Sequence, residues 1–152
     1  MYKKYPSARI HPCILIGPGE FLTEKYAETE EITHVINCAY QEDSPSWFKQ
    51  KYPERYCCLG AHDNLETSIV KWYPEFKKNM KSFLQEKDSK TIFVHCQCGI
   101  NRSAFLALMF VCESFHFSLE KTTKDILSQR PCALTNKSFK TQVKDALSKK
   151  ST

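Results

Sequence analysis

Several features that would place a protein in a recognisable class are missing from this sequence of 152 residues. The longest strongly apolar run, residues 104–112, is about half as long as a membrane-spanning helix. Residues 1–12 lack the apolar core of a secretory signal peptide. These absences exclude the usual patterns of membrane and secreted proteins. We therefore expect a cytoplasmic protein without a membrane span. An additional nuclear location stays open.

A block of charge of one sign is also absent. The net charge is +5, and the lysines are scattered along the chain instead of forming one basic segment. This balance is compatible with anionic partners but does not require nucleic acid.

The eight cysteines include no C-x-x-C pair, the usual framework of a zinc site. Cys57 and Cys58 are adjacent, and Cys96 and Cys98 are separated by one residue. Disulfides are typical of secreted proteins, whose signal is missing here. We therefore expect free thiols and no bound metal.

No internal repeat or change of composition divides the chain, which predicts a single domain over residues 1–152. Short apolar segments alternate with stretches of helical periodicity, which predicts an α/β fold with a central, mostly parallel sheet flanked by helices. Pro74 fits a helix only near its first turn. The predicted strands are residues 13–17, 33–39, 55–60 and 91–95. The predicted helices are residues 21–31, 69–83, 103–115, 118–130 and 136–150. Residues 41–46 and 61–68 are predicted to be loops.

The segment VHCQCGINRSAFLALMFVC, residues 94–112, changes from a buried strand to an apolar helix. A loop that enters a helix N-terminus offers free backbone N–H groups and the positive end of the helix dipole, which together bind anions. That surrounding favours the thiolate form of Cys96. Gly99 gives the loop backbone freedom, and the planar guanidinium of Arg102 suits two phosphate oxygens. The segment therefore predicts a site for phosphate transfer.

The same residues resemble a known signature. His95, Cys96, the five residues 97–101, Arg102 and Ser103 read H-C-x5-R-S, which resembles the phosphate-binding loop of cysteine-dependent protein tyrosine phosphatases. LIG and ITHVIN near the start, the apolar helix after the arginine, and RPCALTNKSFKTQV near the end are similar to the dual-specificity branch of that family.

The resemblance implies a role for each residue of the loop. Cys96 would attack phosphorus and form a phosphocysteine, and Arg102 would hold phosphoryl oxygens together with the backbone amides. Ser103 would donate to the departing sulfur, and His95 would fix the loop. No metal or other cofactor is needed. The loop residues that would supply the amides are Gln97, Cys98, Gly99, Ile100, Asn101 and Arg102.

The reaction also needs an acid for the leaving oxygen. Asp63 lies 33 residues before Cys96, which is close to the family's spacing, and Glu66 is the nearby alternative. Glu75 in WYPE superficially resembles the acid loop of larger tyrosine-specific enzymes. It falls on a helical pattern only 21 residues before Cys96, so we reject it.

Other residues near the motif have simpler interpretations. Ser103 could cap the helix that follows the loop. Asn136 matches a family position, with Lys137 where the family has proline, but an N-cap of the last helix explains it without a catalytic role. We expect Cys98 to point away into the protein, since a C-x-C disulfide is strained. Cys38, Cys57 and Cys58 stay open as redox partners of Cys96.

The leading hypothesis is a phosphatase for phosphorylated proteins, acting on phosphotyrosine and on phosphoserine or phosphothreonine. An RNA 5′-triphosphatase stays open as a second reading of the loop. The absence of lysine in QCGIN counts against a phosphoinositide phosphatase. A non-catalytic phosphate-binding scaffold is disfavoured because nucleophile, arginine and acid are all present. The oligomeric state stays open.

Overall fold

The structure is a computed structural model that describes residues 7–64 and 66–150, with the backbone alone for residue 150. Residues 1–6, which form half of the segment examined for a signal peptide, and Leu65 in the predicted 61–68 loop lie outside the described residues. The strands and α-helices are β1 (Ala8–His11), β2 (Ile14–Pro18), α1 (Glu24–Thr29), β3 (Ile32–Asn37), α2 (Ser46–Lys51), β4 (Tyr56–Cys58), α3 (Tyr73–Gln85), β5 (Thr91–Cys96), α4 (Arg102–Ser114), α5 (Leu119–Gln129) and α6 (Lys137–Lys150). Short 3-10 helices connect them, at Gly19–Phe21, Gln41–Asp43, Pro53–Arg55 and Ile69–Lys71.

The five strands form one sheet in the order β1-β2-β5-β3-β4. All neighbouring strands are parallel except β1, which pairs antiparallel with β2 at the sheet edge. The predicted α/β fold with a mostly parallel sheet is confirmed. Strand β5 lies in the centre, and every one of its residues is buried.

Two short elements differ from the sequence-based prediction. Strand β1 was not predicted because its alternating residues, ARIH, span only four positions at the sheet edge. Helix α2 begins at Ser46, the last residue of the predicted 41–46 loop. Pro45 precedes it in an extended conformation that ends the loop.

Helix α3 begins at Tyr73, so Pro74 lies in its first turn, as its missing N–H requires.

The sheet carries a hydrophobic core on each face, and the alternation along its strands divides the side chains between them. Ile92 and Val94 of β5 point into the larger core, beneath α3, α4 and α6. Phe93, between them, points into a smaller core with Leu15 and Phe48. Helix α4 is buried along most of its length, which explains why its sequence is apolar on all sides.

This packing fixes where a ligand can bind. Helix α4 starts six residues after β5 ends, so its N-terminus lies at the carboxyl end of the central strand. In open parallel sheets this edge is where ligands bind. Among the described residues, no helix combines the length and apolar character that crossing a bilayer requires.

Candidate active site

The loop from Cys96 to Arg102 packs tightly against the end of β2. Gly99 has a φ of +66°, a conformation that side-chain-bearing residues rarely adopt. A Cβ atom there would lie 2.4 Å from the carbonyl carbon of Gly17 and 2.6 Å from the nitrogen of Pro18. Both the backbone angle and the close approach therefore require glycine.

Arg130 holds the middle of the loop from the protein interior. This arginine is fully buried. Its Nη2 donates to the carbonyl oxygen of Cys98 at 2.8 Å, and its Nε donates to that of Gly99 at 3.2 Å. In a trans peptide the N–H points opposite to the C=O. Arg130 therefore turns the N–H groups of Gly99 and Ile100 away from itself, toward the opposite side of the loop.

Two further carbonyl groups of the loop are held in the same way. The backbone N–H of Leu134 donates to the carbonyl oxygen of Ile100 at 2.7 Å. His95 Nδ1 lies 3.0 Å from the carbonyl oxygen of Cys96, and because that oxygen can only accept, Nδ1 carries the proton. His95 Nε2 then accepts from the hydroxyl of Ser44 at 3.0 Å. These contacts turn the N–H groups that follow each carbonyl inward as well.

Burial keeps His95 neutral. The ring is completely buried, and this desolvation lowers its pKa from 6.5 to about 4, although the hydrogen bond to the Cys96 carbonyl acts in the opposite direction. A neutral ring with its proton on Nδ1 is the state that the two hydrogen bonds require.

The sulfur of Cys96 lies next to the hydroxyl of Ser103. The Sγ–Oγ distance is 3.3 Å, and both residues are buried. Ser103 lies in the first turn of α4, and no described side chain caps that helix. The interpretation of Ser103 as a helix cap is wrong, because its hydroxyl faces the thiol. The N-terminal amides of α4 are left for an anion.

Arg102 presents one edge of its guanidinium to the cleft. Nη1 donates to the carbonyl oxygen of Ala61 at 3.0 Å, and the ring of Tyr40 lies 5.8 Å from the guanidinium carbon. Nε is buried and has no hydrogen-bond partner within the described residues. An unpaired buried donor is costly, by roughly 1–3 kcal/mol. An anion bound against Nε and Nη2 would remove that cost.

Asp63 faces the same cleft, which has a volume of about 370 Å³. Its carboxylate accepts from Asn136 Nδ2 at 3.0 Å and from Asn101 Nδ2 at 3.2 Å. Glu66 does not line this cleft, and Glu75 lies in the first turn of α3. The residues around the cleft are Tyr40, His62, Asp63, Asn64, Cys96, Gln97, Cys98, Ile100, Asn101 and Arg102.

Asn136 does more than its sequence position predicted. Its Oδ1 accepts from the N–H of Phe139 at 3.1 Å, which confirms the N-cap of α6. Its Nδ2 reaches Asp63 as well, a contact that no local pattern indicates. The sequence reasoning therefore missed part of the surroundings of the acid.

The expected orientation of Cys98 is wrong. Cys98 is exposed and lines the same cleft as Cys96. Arg130 donates to the Cys98 carbonyl oxygen on the buried side of the loop, so the Cys98 side chain lies on the solvent side. Partial burial, followed by the charge of nearby Cys96, raises the pKa of the Cys98 thiol.

The three cysteines considered as redox partners of Cys96 differ in their surroundings. Cys38 is fully buried, and burial raises its pKa well above its usual value, with nearby Cys96 contributing in the same direction. Cys58 donates its thiol to the carbonyl oxygen of Ala39 at 3.2 Å. Burial raises the pKa of Cys57 to about 12.

Metal-binding side chains do not gather in the described part of the chain. There, no three His, Cys, Asp or Glu side chains come together as a set of metal ligands. The described residues bring the guanidinium of Arg102, the loop amides and the N-terminal amides of α4 to this cleft as its positive groups.

The family model described as "Dual specificity phosphatase, catalytic domain" matches residues 17–149. The chain belongs to this family. The match includes the whole loop, Asp63 and Asn136, so the resemblance inferred from the loop motif is confirmed at the level of the family.

The similar proteins include dual specificity protein phosphatases and serine/threonine/tyrosine-interacting proteins. Dual specificity protein phosphatase 4 from Gallus gallus is 30% identical over 112 residues, which cover 74% of this chain and 28% of that protein. Serine/threonine/tyrosine-interacting protein A from Xenopus laevis is 27% identical over 150 residues, covering 93% of this chain and 66% of that protein. This dual specificity phosphatase domain thus spans less than two thirds of the length of either relative.

The fold is also similar to that of a solved family structure. Human DUSP28 superposes with a TM-score of 0.80 at 18% identity, covering 97% of this chain and 96% of that one. At this level of identity the similarity supports the fold.

Arg130 gives the first testable prediction. Arg130→Lys keeps the charge but loses the fork that holds two carbonyl groups, so the loop amides should lose their alignment. We expect kcat/KM for p-nitrophenyl phosphate to fall roughly 100-fold, comparable to the loss of a preorganised oxyanion donor. Arg55→Lys, at a partly exposed arginine that pairs with Asp88 away from the cleft, is the matched control. Turnover unchanged in a folded Arg130→Lys variant would contradict the role of Arg130.

His95 gives a prediction about pH. The unfolded chain binds a proton at this histidine near pH 6.5, whereas the folded chain binds it only near pH 4. Protonation therefore favours unfolding, and the free energy of unfolding should fall by up to about 3 kcal/mol as the pH drops from about 6.5 to about 4. Urea denaturation across this range measures the loss. His95→Asn should flatten the dependence, and an equally steep slope in that variant would assign the effect elsewhere.

Proposed function

We propose that this domain is a phosphatase for phosphorylated proteins, acting on phosphotyrosine and on phosphoserine or phosphothreonine through a phosphocysteine. The observation that carries the proposal is the set of groups around one cleft. The buried Cys96 and the Arg102 Nε, which has no partner among the described residues, border a space that Asp63 also faces. The carbonyl contacts behind the loop direct its amides toward the same space. Membership in the dual specificity phosphatase family supports the same chemistry.

In the first step, the thiolate of Cys96 attacks phosphorus, and an S–P bond forms as the bond from phosphorus to the leaving oxygen breaks. Asp63 gives its proton to that oxygen, so the product leaves as a neutral hydroxyl. The loop amides and Arg102 hold the other phosphoryl oxygens while charge spreads over them. Binding and transition-state stabilisation thus use the same fixed donors.

In the second step, water attacks the phosphocysteine. Asp63, now a carboxylate, takes the water proton as the S–P bond breaks and inorganic phosphate forms. The Ser103 hydroxyl, 3.3 Å from Sγ, donates to the sulfur as it regains its negative charge. Ser103 therefore contributes mainly to the second step.

The walls of the cleft support activity toward more than one phosphorylated residue. Tyr40 is 36% exposed and borders the cleft beside His62, with a hydrogen bond between its hydroxyl and the His62 ring. Its ring face can pack against the ring of phosphotyrosine. The cleft is open beyond these side chains, so that shorter phosphoserine and phosphothreonine side chains can also bring phosphorus to Cys96.

A panel of substrates tests the activity. The intact chain, under reducing conditions, should release phosphate from phosphotyrosine and phosphothreonine peptides, and Cys96→Ser should reduce turnover to background while still binding phosphopeptide. Phosphate release and peptide binding are measured separately. Release of the γ-phosphate from triphosphorylated RNA without action on either peptide would favour the RNA reading. Absence of turnover on all substrates would favour a binding scaffold.

The role of Asp63 is tested by changing the leaving group. Asp63→Asn removes the proton donor, so hydrolysis of phenyl phosphate, whose phenolate is a poor leaving group, should slow by about 100-fold or more. Hydrolysis of p-nitrophenyl phosphate should change far less, since nitrophenolate leaves without a proton. Steady-state rates with both esters measure the contrast. Equal losses with the two esters would remove Asp63 from the role of acid, and Glu66 would be tested next.

A further inference from the structure

Two asparagine side chains, from separate parts of the chain, meet at the carboxylate of Asp63. Asn101 belongs to the phosphate-binding loop and directly precedes Arg102. Asn136 lies at the start of α6, 73 residues after Asp63 along the chain. Both asparagines are 7% exposed, whereas Asp63 itself is exposed.

The orientation of the Asn101 amide is fixed by groups other than Asp63. Its Oδ1 accepts from the backbone N–H groups of Thr135 and Asn136, each at 2.8 Å. Since N–H groups can only donate, the oxygen of the amide must face them and the NH2 must face the other way. That NH2 group donates to Asp63 Oδ2 at 3.2 Å.

The Asn136 amide is fixed by the same logic. Its Oδ1 accepts from the Phe139 N–H, so its Nδ2 is directed away from α6. Nδ2 donates to Asp63 Oδ1 and to the carbonyl oxygen of Asn64, both at 3.0 Å. One amide group thus holds both the carboxylate and the backbone beside it.

A phosphorylated substrate makes this restraint necessary. The incoming phosphate is negatively charged and repels a carboxylate, and an exposed aspartate on a polar loop is free to turn into solvent. Two neutral N–H donors of fixed direction oppose that rotation. Unlike a positive residue, neutral donors add no charge that favours the carboxylate over the protonated acid, and they can donate to either form.

We propose that Asn101 and Asn136 are positioning residues that hold Asp63 over the phosphate-binding loop, with Oδ2 as the oxygen that carries the transferred proton. Oδ1 receives the shorter bond, from Asn136, and a second, longer one of 3.5 Å from Asn101. Oδ2 receives only the 3.2 Å bond from Asn101 among the hydrogen bonds of Asp63 with described residues. This inference rests on the proposed role of Asp63 as the acid.

Asn136→Ser tests the inference with little disturbance of the fold. Serine is also a good N-cap, so the start of α6 is kept, but its hydroxyl is too short to replace the amide that reaches Asp63. With phenyl phosphate we expect kcat to fall about tenfold, because a displaced acid transfers its proton poorly. With p-nitrophenyl phosphate the change should stay below about twofold, since that ester does not need the acid.

A double variant separates positioning from general damage. If Asn136 acts through Asp63, Asn136→Ser should cause little further loss in the Asp63→Asn background with phenyl phosphate. Asn136→Asp, which keeps the cap and places a carboxylate against Asp63, should show the same dependence on the leaving group. Asn79→Ser, at an asparagine of α3 that bonds to Glu75 of its own helix, is the control and should match the parent on both esters.

The outcomes distinguish this inference from the proposed function. The positioning role would be overturned if Asn136→Ser lost the same fraction of kcat on both esters, or if it matched the parent. It would also be overturned if the two substitutions reduced kcat independently, so that the loss in the double variant equalled the product of the single losses. The phosphatase activity would stand in each case. An inactive parent, or an Asp63→Asn variant without leaving-group dependence, would overturn the assigned acid and the positioning role with it. Thermal melting of each variant identifies any that loses activity through unfolding.

Discussion

The site depends on one constraint, which is that four carbonyl groups of the phosphate-binding loop are held by donors behind the loop. Arg130 holds the carbonyls of Cys98 and Gly99, the Leu134 N–H holds that of Ile100, and His95 holds that of Cys96. Because each peptide unit is planar, these contacts outside the loop direct the amides inside it. The anion site is therefore built before any anion binds, and binding does not have to supply the energy of ordering it.

The same elements connect the loop to the acid. The segment 130–136 supplies the guanidinium behind the loop and the backbone N–H that donates to the Ile100 carbonyl oxygen. It also supplies the N–H groups that orient the Asn101 side chain and the side-chain amide that donates to Asp63. A single connection between α5 and α6 thus sets the direction of the amides and the position of the proton donor. Nucleophile and acid are held in one frame although they are 33 residues apart, which favours chemistry that needs both at once.

The sequence predicted the parts of this arrangement that are local. The strand-to-helix change around Cys96, the spacing of Arg102, and the distance to Asp63 are all visible along the chain, and so are four of the five strands. Arg130 was not predicted because nothing in SQRPC shows that its side chain is buried under a loop 31 residues earlier. The Asp63 contact of Asn136 was also missed because its helix cap already explained it. Strand β1 and helix α2 were too short for a clear periodicity.

The most direct test of the preformed anion site is a crystal structure of the domain with vanadate, which mimics the transferring phosphoryl group. We expect vanadium bonded to Cys96 Sγ, with its oxygens about 3 Å from the loop amide nitrogens and from Nε and Nη2 of Arg102. We also expect the contacts of Arg130 and Leu134 behind the loop to be the same with and without the anion. A vanadate held only by side chains, with the loop amides facing away, would contradict a preformed anion site.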